Sequence, residues 1–192
     1  WGRKLDECQE DLAFIERLPG RKILLRGNHD MFWDAKKTAS LNDAFTGRLF
    51  FLQNNFASYQ DYALVGTKGY TFEGPFYLDP WGRIVGWDEE NAQHAEKLVA
   101  REMVRLRDSF EQATAAGYRK FIMFLHYPPT NILEDASPFT DIAEEYGVET
   151  VVYSHCHGAK RFGDSLRGTV RGVNYMLVSG DYLDFKPALV LA

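Results

Sequence analysis

The chain has 192 residues, of which 45% are hydrophobic and 26% are charged, as is typical of a single globular domain with a substantial core. The formal net charge of −5 argues against broad binding to nucleic acid or membrane surfaces, but it leaves room for a local basic pocket. No apolar run approaches the roughly 20 residues of a membrane helix, and the two cysteines provide no disulfide framework, so we expect a cytoplasmic protein.

The N-terminal segment carries apolar residues at helical spacing, which predicts a helix of about four turns. The recurring residues are Leu5, Cys8, Leu12, Ile15 and Leu18. Pro19-Gly20 ends this helix, and the apolar run within 22–26 predicts a strand buried on both faces. The first residue is Trp1 rather than Met and the helical pattern begins at once. We therefore expect a part of a longer protein, with a preceding strand of the same domain missing.

Helices alternate with short apolar strands along the rest of the chain. The predicted helices are 35–46, 88–116 and 137–147. The predicted strands are 49–52, 62–65, 121–125, 151–153, 175–178 and 188–191, with Asn54-Asn55 as the turn between the first two. This alternation over residues 1–192 predicts one domain with an α/β layered fold.

The segment 66–87 differs from the rest because it combines many glycines and prolines with aromatic residues. We interpret it as an irregular loop. Its aromatic side chains either pack against the edge of the domain or form a lid over the substrate or a contact with a partner.

Polar side chains suited to coordination and proton transfer follow three of the predicted strands. Asn28, His29 and Asp30 follow the first, His126 the second, and His155 and His157 the third. Ligands of open α/β sheets bind outside the carboxyl ends of the strands, so these residues are expected in one crevice. Four of the five histidines fall at these ends, and the fifth, His94, is expected on a solvated helix face.

Imidazole nitrogens with amide or carboxylate oxygens suit Mn, Fe, Zn or similar ions. His155 and His157 would point to opposite sides of an extended backbone, as two adjacent ions require. A pair of metals is a common device for in-line displacement at phosphorus. Cys156, between these histidines, is interpreted as a buried filler rather than a thiolate ligand, and Lys160 and Arg161 as a solvated turn or a grip on phosphate.

Gly27-Asn28-His29-Asp30, His126, and Ser154-His155-Cys156-His157 resemble, in order and interval, three of the five motifs of the calcineurin-like metallophosphoesterases. The resemblance spans most of the chain and implies a four-layer α/β sandwich with a dinuclear centre of two divalent metal ions. The family's last motif usually begins with Gly, where this chain has Ser154.

Carried over residue by residue, the resemblance implies that Asn28, His126 and His155 ligate one metal and that His157 ligates the other. It implies that His29 donates a proton to the leaving oxygen and is oriented by Asp30. The family's Asp-x-His and Gly-Asp motifs are absent from these 192 residues. The expected metal site of this chain is therefore incomplete.

The predicted function is metal-dependent hydrolysis of a phosphate ester, by a phosphatase acting on a protein or a small phosphomonoester. A phosphodiesterase or nuclease is one alternative, although the net charge of −5 argues against a nucleic-acid substrate. A binding scaffold that has lost catalysis is another. The sequence does not specify the substrate, the metal or the oligomeric state.

Overall fold

The computed structural model describes residues 2–70, 77–78, 84–85, 89–130, 134 and 136–191. The helices are α1 (Gln9–Arg17), α2 (Thr38–Ala44), α3 (Glu89–Ala115), α4 (Pro138–Glu145) and α5 (Ala159–Gly163), with 3-10 turns at Leu5–Cys8 and Ala35–Lys37. The strands are β1 (Lys22–Leu25), β2 (Leu49–Leu52), β3 (Phe56–Tyr59), β4 (Tyr62–Thr67), β5 (Tyr77–Leu78), β6 (Ile84–Val85), β7 (Lys120–Leu125), β8 (Thr150–Tyr153), β9 (Gly168–Val170) and β10 (Val173–Leu177). None of the described helices has the length and hydrophobicity that a membrane-spanning segment needs.

The main sheet has six strands in the order β3-β4-β7-β8-β10-β9. Its four central strands, from β4 to β10, run parallel to one another, and the two edge strands are antiparallel to their neighbours. The parallel strands are rich in fully buried apolar residues, as expected where both faces of a sheet are covered. The carboxyl ends of β4, β7, β8 and β10 therefore meet at one edge of the sheet.

A second sheet, formed by the parallel pair β1 and β2, packs against the main sheet. Gly66 in β4 lies at this boundary, where an added Cβ would lie 3.2 Å from side chains of Leu25 and Leu52 in the small sheet and 2.6 Å from the carbonyl oxygen of Phe124 in the adjacent strand β7. Real Cβ atoms essentially never approach that closely. Glycine at position 66 therefore lets β4 lie this close to β7 and to the side chains of the small sheet.

Two hydrophobic clusters complete a layered arrangement of helices, sheet, sheet and helices. The larger cluster joins α3 and α4 to the main sheet, and the smaller one joins α1 and α2 to the outer side of the β1–β2 pair. Trp33 lies at the centre of the smaller cluster with 1% of its surface exposed, and its ring meets that of Phe51 edge to face at 5.0 Å. The predicted four-layer α/β fold is confirmed.

Some predicted elements differ from the structure. The first helix starts as a 3-10 turn and its α-helical part ends at Arg17, so Leu18 lies outside it and is 45% exposed. The turn at Asn54-Asn55 leads into a further strand, β3, which the prediction missed. Residues 188–191 form no strand, because their side chains are half-exposed or exposed and no neighbouring strand pairs with them.

The aromatic segment 66–87 is described only at 66–70, 77–78 and 84–85, where β5 and β6 pair as a short antiparallel hairpin. Tyr70 packs against Tyr127 with ring centroids 5.4 Å apart. The predicted lid or partner contact at the rest of this segment lies outside the described residues.

Phe110 on α3 should be a main determinant of stability. Its side chain is fully buried, stacks on Tyr146 at 4.2 Å and meets Phe121 edge to face at 5.3 Å. We expect Phe110→Ala to lower the free energy of unfolding by about 3–5 kcal/mol, measured by urea denaturation, because it opens a cavity between helix and sheet. The control is Val104→Ala on the same helix, which is 63% exposed and should change stability by less than about 0.5 kcal/mol. Equal losses from both would contradict this assignment.

Candidate metal centre

A tight loop follows β1 and holds Asn28 and His29 at the edge of the sheet. The backbone N–H of Gly27 donates to Asp30 Oδ2 at 2.6 Å, and the N–H of Trp33 donates to the carbonyl of Asp30 at 3.1 Å. The buried Trp33 anchors the far end of the loop, because its indole N–H donates to Thr38 Oγ1 at 3.0 Å. Gly27 is also packed tightly, since an added Cβ would lie 3.3 Å from the ring of His126.

Three polar side chains from three strand ends converge beside this loop. Nε2 of His126 lies 2.6 Å from Oδ1 of Asn28 and 3.1 Å from Nδ1 of His155. Asn28 follows β1 in the small sheet, whereas His126 and His155 follow β7 and β8 in the main sheet. The structure therefore brings together three of the four residues predicted as ligands, across the boundary between the two sheets.

The hydrogen positions at this point do not satisfy all three atoms. A proton on His126 Nε2 can donate to the Asn28 oxygen, but it then leaves His155 Nδ1 no lone pair on His126 to bond to. Ser154 Oγ lies 3.3 Å from the other ring nitrogen of His126, Nδ1, and can accept a hydrogen bond from the Nδ1–H group. In that tautomer, and with His155 protonated on Nε2, the Asn28 oxygen and the two imidazole nitrogens each direct a lone pair to this point. Such a donor set, one amide oxygen and two imidazole nitrogens, fits a divalent cation.

Within the described residues, no group of three or more His, Cys, Asp or Glu side chains is arranged to hold a metal ion. The three converging side chains do not form such a group, because Asn28 contributes an amide oxygen rather than one of these four side-chain types. Asn28, His126 and His155 therefore offer part of a coordination shell.

His155 occupies a backbone conformation that side chains rarely adopt. Its φ of 69° lies in the left-handed region, so residues 154–157 are not the extended stretch that the sequence predicted. The ring is held by Tyr127, whose centroid lies 4.3 Å away. Strain of this kind typically costs about 1–3 kcal/mol and persists where the surrounding structure enforces it, often at functional sites.

His157, whose charge acts on both His126 and His155, contacts Asp181, a residue that the sequence prediction missed. Its Nδ1–H donates to Asp181 Oδ1 at 2.9 Å, while the N–H of Gly158 donates to Oδ2 at 3.0 Å. The hydrogen bond from His157 lowers the pKa of the Asp181 carboxyl. Asp181 stands shortly after β10, a fourth parallel strand, so the same strand-end rule could have found it.

His29 and Asp30 stand next to Asn28 on the same loop. His29 is exposed, and Asp30 is half-buried with its carboxylate on the Gly27 N–H. His94 is exposed on α3, as expected, and Cys156 is buried in the larger core cluster, which supports its interpretation as a filler.

The imidazoles of the cluster are held in their neutral form. Burial, followed by the positive charges of His155 and Lys68, lowers the pKa of His126 to about 4. Burial, followed by the charges of Arg161 and His157, lowers the pKa of His155 to about 4. Near neutral pH both rings are uncharged, which is the form that binds a metal ion.

These low values predict how the stability of the metal-free protein depends on pH. The pKa of each ring is about 4 in the folded state and has its ordinary value of 6.5 in the unfolded state. Between these two pH values, each ring binds fewer protons in the folded state than in the unfolded state. Unfolding therefore takes up protons in this window, and the thermal midpoint should fall as the pH drops from about 6.5 to about 4.

The comparison is with the His126→Gln, His155→Gln double variant, in which the two rings are absent. Differential scanning calorimetry across this window should show a shallower decline for the double variant. Parallel declines in the two proteins would show that these histidines do not titrate as described.

A family model for the calcineurin-like phosphoesterases matches residues 3–159, which include the loop after β1, His126 and the pair His155 and His157. No curated protein and no solved structure matched the chain. The matched residues include Asn28 from the small sheet, His126 and His155 from the main sheet, and most of the layered fold. The chain therefore belongs to the calcineurin-like phosphoesterase family.

Proposed function

We propose that this domain hydrolyses phosphate esters, with phosphomonoesters as its preferred substrates, at a centre built on Asn28, His126, His155 and His157. The observation that carries the proposal is that Nε2 of the neutral His126 lies 2.6 Å from Asn28 Oδ1 and 3.1 Å from His155 Nδ1. In the tautomers that leave a lone pair on each of these atoms, their proximity is costly unless a cation shares them. Membership of a phosphoesterase family, whose members generally use divalent ions, supports the same conclusion.

The donor types indicate which ions fit. Imidazole nitrogen and amide oxygen suit Mn, Fe, Zn or similar divalent ions. Asn28, His126 and His155 would hold one ion, and His157 would contribute to a second. Ions bound there would supply Lewis acidity toward phosphate oxygens and a water of lowered pKa.

His29 is proposed as the proton donor to the leaving oxygen. It neighbours Asn28 in the sequence and is exposed, so its ring can reach a substrate held at the cluster. A positioned histidine of this kind contributes typically about 10²–10⁴-fold to the rate. Asp30 fixes the loop through the Gly27 N–H, which would set the position of His29 relative to the cluster.

The positive charges near the cluster favour an anionic substrate. Arg161 is the largest charged contributor to the lowered pKa of His155, and Lys68 acts on both His126 and His155. Because both rings are neutral, the two cations give the cleft a net attraction for phosphate. We propose that Arg161 helps to hold the scissile phosphate group.

The first test separates proton donation from metal binding. We expect His29→Ala in the metal-loaded full-length protein to lower kcat toward p-nitrophenyl phosphate by about 10²-fold or more, with metal content nearly unchanged. Metal content is measured by inductively coupled plasma mass spectrometry. The matched control is His94→Ala, which removes the exposed histidine of α3 and should leave both quantities unchanged.

Loss of metal together with activity in His29→Ala would contradict the role of proton donor. Comparing p-nitrophenyl phosphate with bis(p-nitrophenyl) phosphate separates a phosphatase from the rival phosphodiesterase. If the metal-loaded protein hydrolysed neither ester, the alternative of a binding scaffold would replace the present proposal.

The second test concerns Asp181 as a positioning residue for His157. Its carboxylate accepts a hydrogen bond from Nδ1–H of His157, which would leave the lone pair of Nε2 for a metal ion. We expect Asp181→Asn to weaken binding of the second metal equivalent by about 10–100-fold in calorimetric titrations with Mn²⁺. The control Asp164→Asn removes the same charge from an exposed position and should have no effect. Unchanged metal affinity in Asp181→Asn would remove Asp181 from the site.

A further inference from the structure

A buried polar network lies at the carboxyl ends of β2 and β4, where the two sheets meet. Its members are Gln53 directly after β2, Thr67 at the end of β4, and Glu102 on α3, and each of them has 0% of its surface exposed. Burying polar groups is costly unless they are hydrogen-bonded, and a buried carboxylate contributes less to stability than apolar packing of the same volume often does. A network at this edge of the sheets is placed to act on the ligands that follow the strands.

Glu102 fixes the orientation of the Gln53 side-chain amide. Oε2 of Glu102 accepts from Thr67 Oγ1 at 2.5 Å and from Gln53 Nε2 at 3.2 Å, and Gln53 Nε2 also donates to Thr67 Oγ1 at 2.8 Å. A flipped amide would place its oxygen against the carboxylate, so the NH₂ group must face Glu102. The carbonyl oxygen of the Gln53 side chain is therefore directed away from Glu102.

That oxygen reaches the main sheet through the main chain of Lys68. Gln53 Oε1 accepts from the N–H of Lys68 at 2.8 Å. The carbonyl of Lys68 in turn accepts from the N–H of His126 at 3.2 Å. Thr67 is paired with Leu125 in the parallel strands β4 and β7, so Lys68 and His126 occupy the next position of the two strands. One residue thus connects Gln53 to a candidate metal ligand.

Two contacts between the sheets result at the same edge. In the small sheet, Leu25 of β1 is paired with Leu52 of β2, and Asn28 and Gln53 follow this last pair. Asn28 Oδ1 lies 2.6 Å from His126 Nε2, and Gln53 Oε1 lies 2.8 Å from the main-chain nitrogen of Lys68. Strand pairing closes the ring of contacts within each sheet. The separation of Asn28 from His126 is therefore constrained at two points.

We propose that Gln53 is a positioning residue of the metal centre, which sets the separation of the ligands Asn28 and His126 by joining the ends of β2 and β4. The inference rests on the proposed function for the role of these two residues as ligands. Groups that orient metal ligands from behind typically contribute about 10–100-fold to metal affinity. Glu102 and Thr67 support Gln53 because they hold its amide in the orientation that presents Oε1 to Lys68.

The test replaces Gln53 by a residue of similar length that forms no hydrogen bonds to the network. Gln53→Met removes the bonds to Thr67, Glu102 and Lys68. We expect the affinity of the full-length protein for Mn²⁺, measured by isothermal titration calorimetry, to fall by about tenfold or more. The titration is carried out well below the thermal midpoint of each variant, so that a loss of global stability alone leaves the affinity unchanged.

A second measurement needs no metal. Amide hydrogen exchange in the metal-free protein, followed by NMR, should become faster at Lys68 and His126 in Gln53→Met, because the hydrogen bonds that hold this part of the main chain are lost or loosened.

The matched control is Asn42→Leu, which removes another side-chain amide that holds β2. Asn42 on α2 accepts from the N–H of Phe51 at 2.8 Å and donates to its carbonyl at 3.0 Å. This variant should lower stability and accelerate exchange at Phe51, but it should leave Mn²⁺ affinity and exchange at Lys68 and His126 unchanged. Equal loss of affinity in both variants would reduce Gln53 to a general support of β2 and overturn the proposal.

Unchanged Mn²⁺ affinity in Gln53→Met would overturn the proposal as well. If Gln53→Met does not unfold cooperatively, Thr67→Val takes its place, because it keeps the shape of the side chain and removes the hydroxyl that holds the Gln53 amide. A loss of affinity is then expected, and an unchanged affinity contradicts the role of Gln53.

The two proposals can fail separately. A protein that loses Mn²⁺ affinity in Gln53→Met but hydrolyses no phosphate ester keeps the positioning role and loses the proposed function. A protein that hydrolyses p-nitrophenyl phosphate and binds Mn²⁺ equally well with or without Gln53 keeps the function and loses the positioning role.

Discussion

The contact of 2.6 Å between Asn28 Oδ1 and His126 Nε2 joins the two sheets of the molecule at their functional edge. Each partner is held by its own sheet, Asn28 through the loop after β1 and His126 through the end of β7. The contact therefore exists only if the two sheets keep a fixed spacing and relative position. The approach of His155 to His126 is set within the main sheet, because β7 and β8 are neighbouring parallel strands, so the spacing between the sheets determines whether Asn28 joins them.

The cleft combines uncharged imidazoles with charged groups of both signs. His126 and His155 are neutral because burial and neighbouring cations disfavour their protonated forms. Arg161 acts on His155 and Lys68 acts on both rings, whereas the carboxylates of Asp30 and Asp181 are engaged by the Gly27 N–H and by His157. Uncharged ligand atoms beside these cations favour the approach of an anion.

The sequence predicted the parts of the site that follow from the order of strands and strand ends. Asn28, His126 and His155 were predicted to meet because buried parallel strands bring their carboxyl ends to one edge. The contact between Asp181 and His157 was not predicted, because it depends on the path of the chain after β10. The left-handed conformation of His155 was also missed, since the periodicity of a sequence carries no information about single strained residues. The strand expected at 188–191 failed because an apolar run does not specify a partner strand.

Gly66 has a consequence for the geometry of the cleft that its lack of a side chain conceals. Any Cβ at this position would lie 2.6 Å from the carbonyl oxygen of Phe124 in the neighbouring strand β7 and 3.2 Å from the side chains of Leu25 and Leu52 in the small sheet. Packed interiors resist compression, so a larger residue here would displace β4 from β7 or from the small sheet. Asn28 and His126 follow β1 and β7, the strands on the two sides of this contact. The spacing of these two side chains is thus inherited in part from a glycine in a strand interior, far from either of them in the sequence.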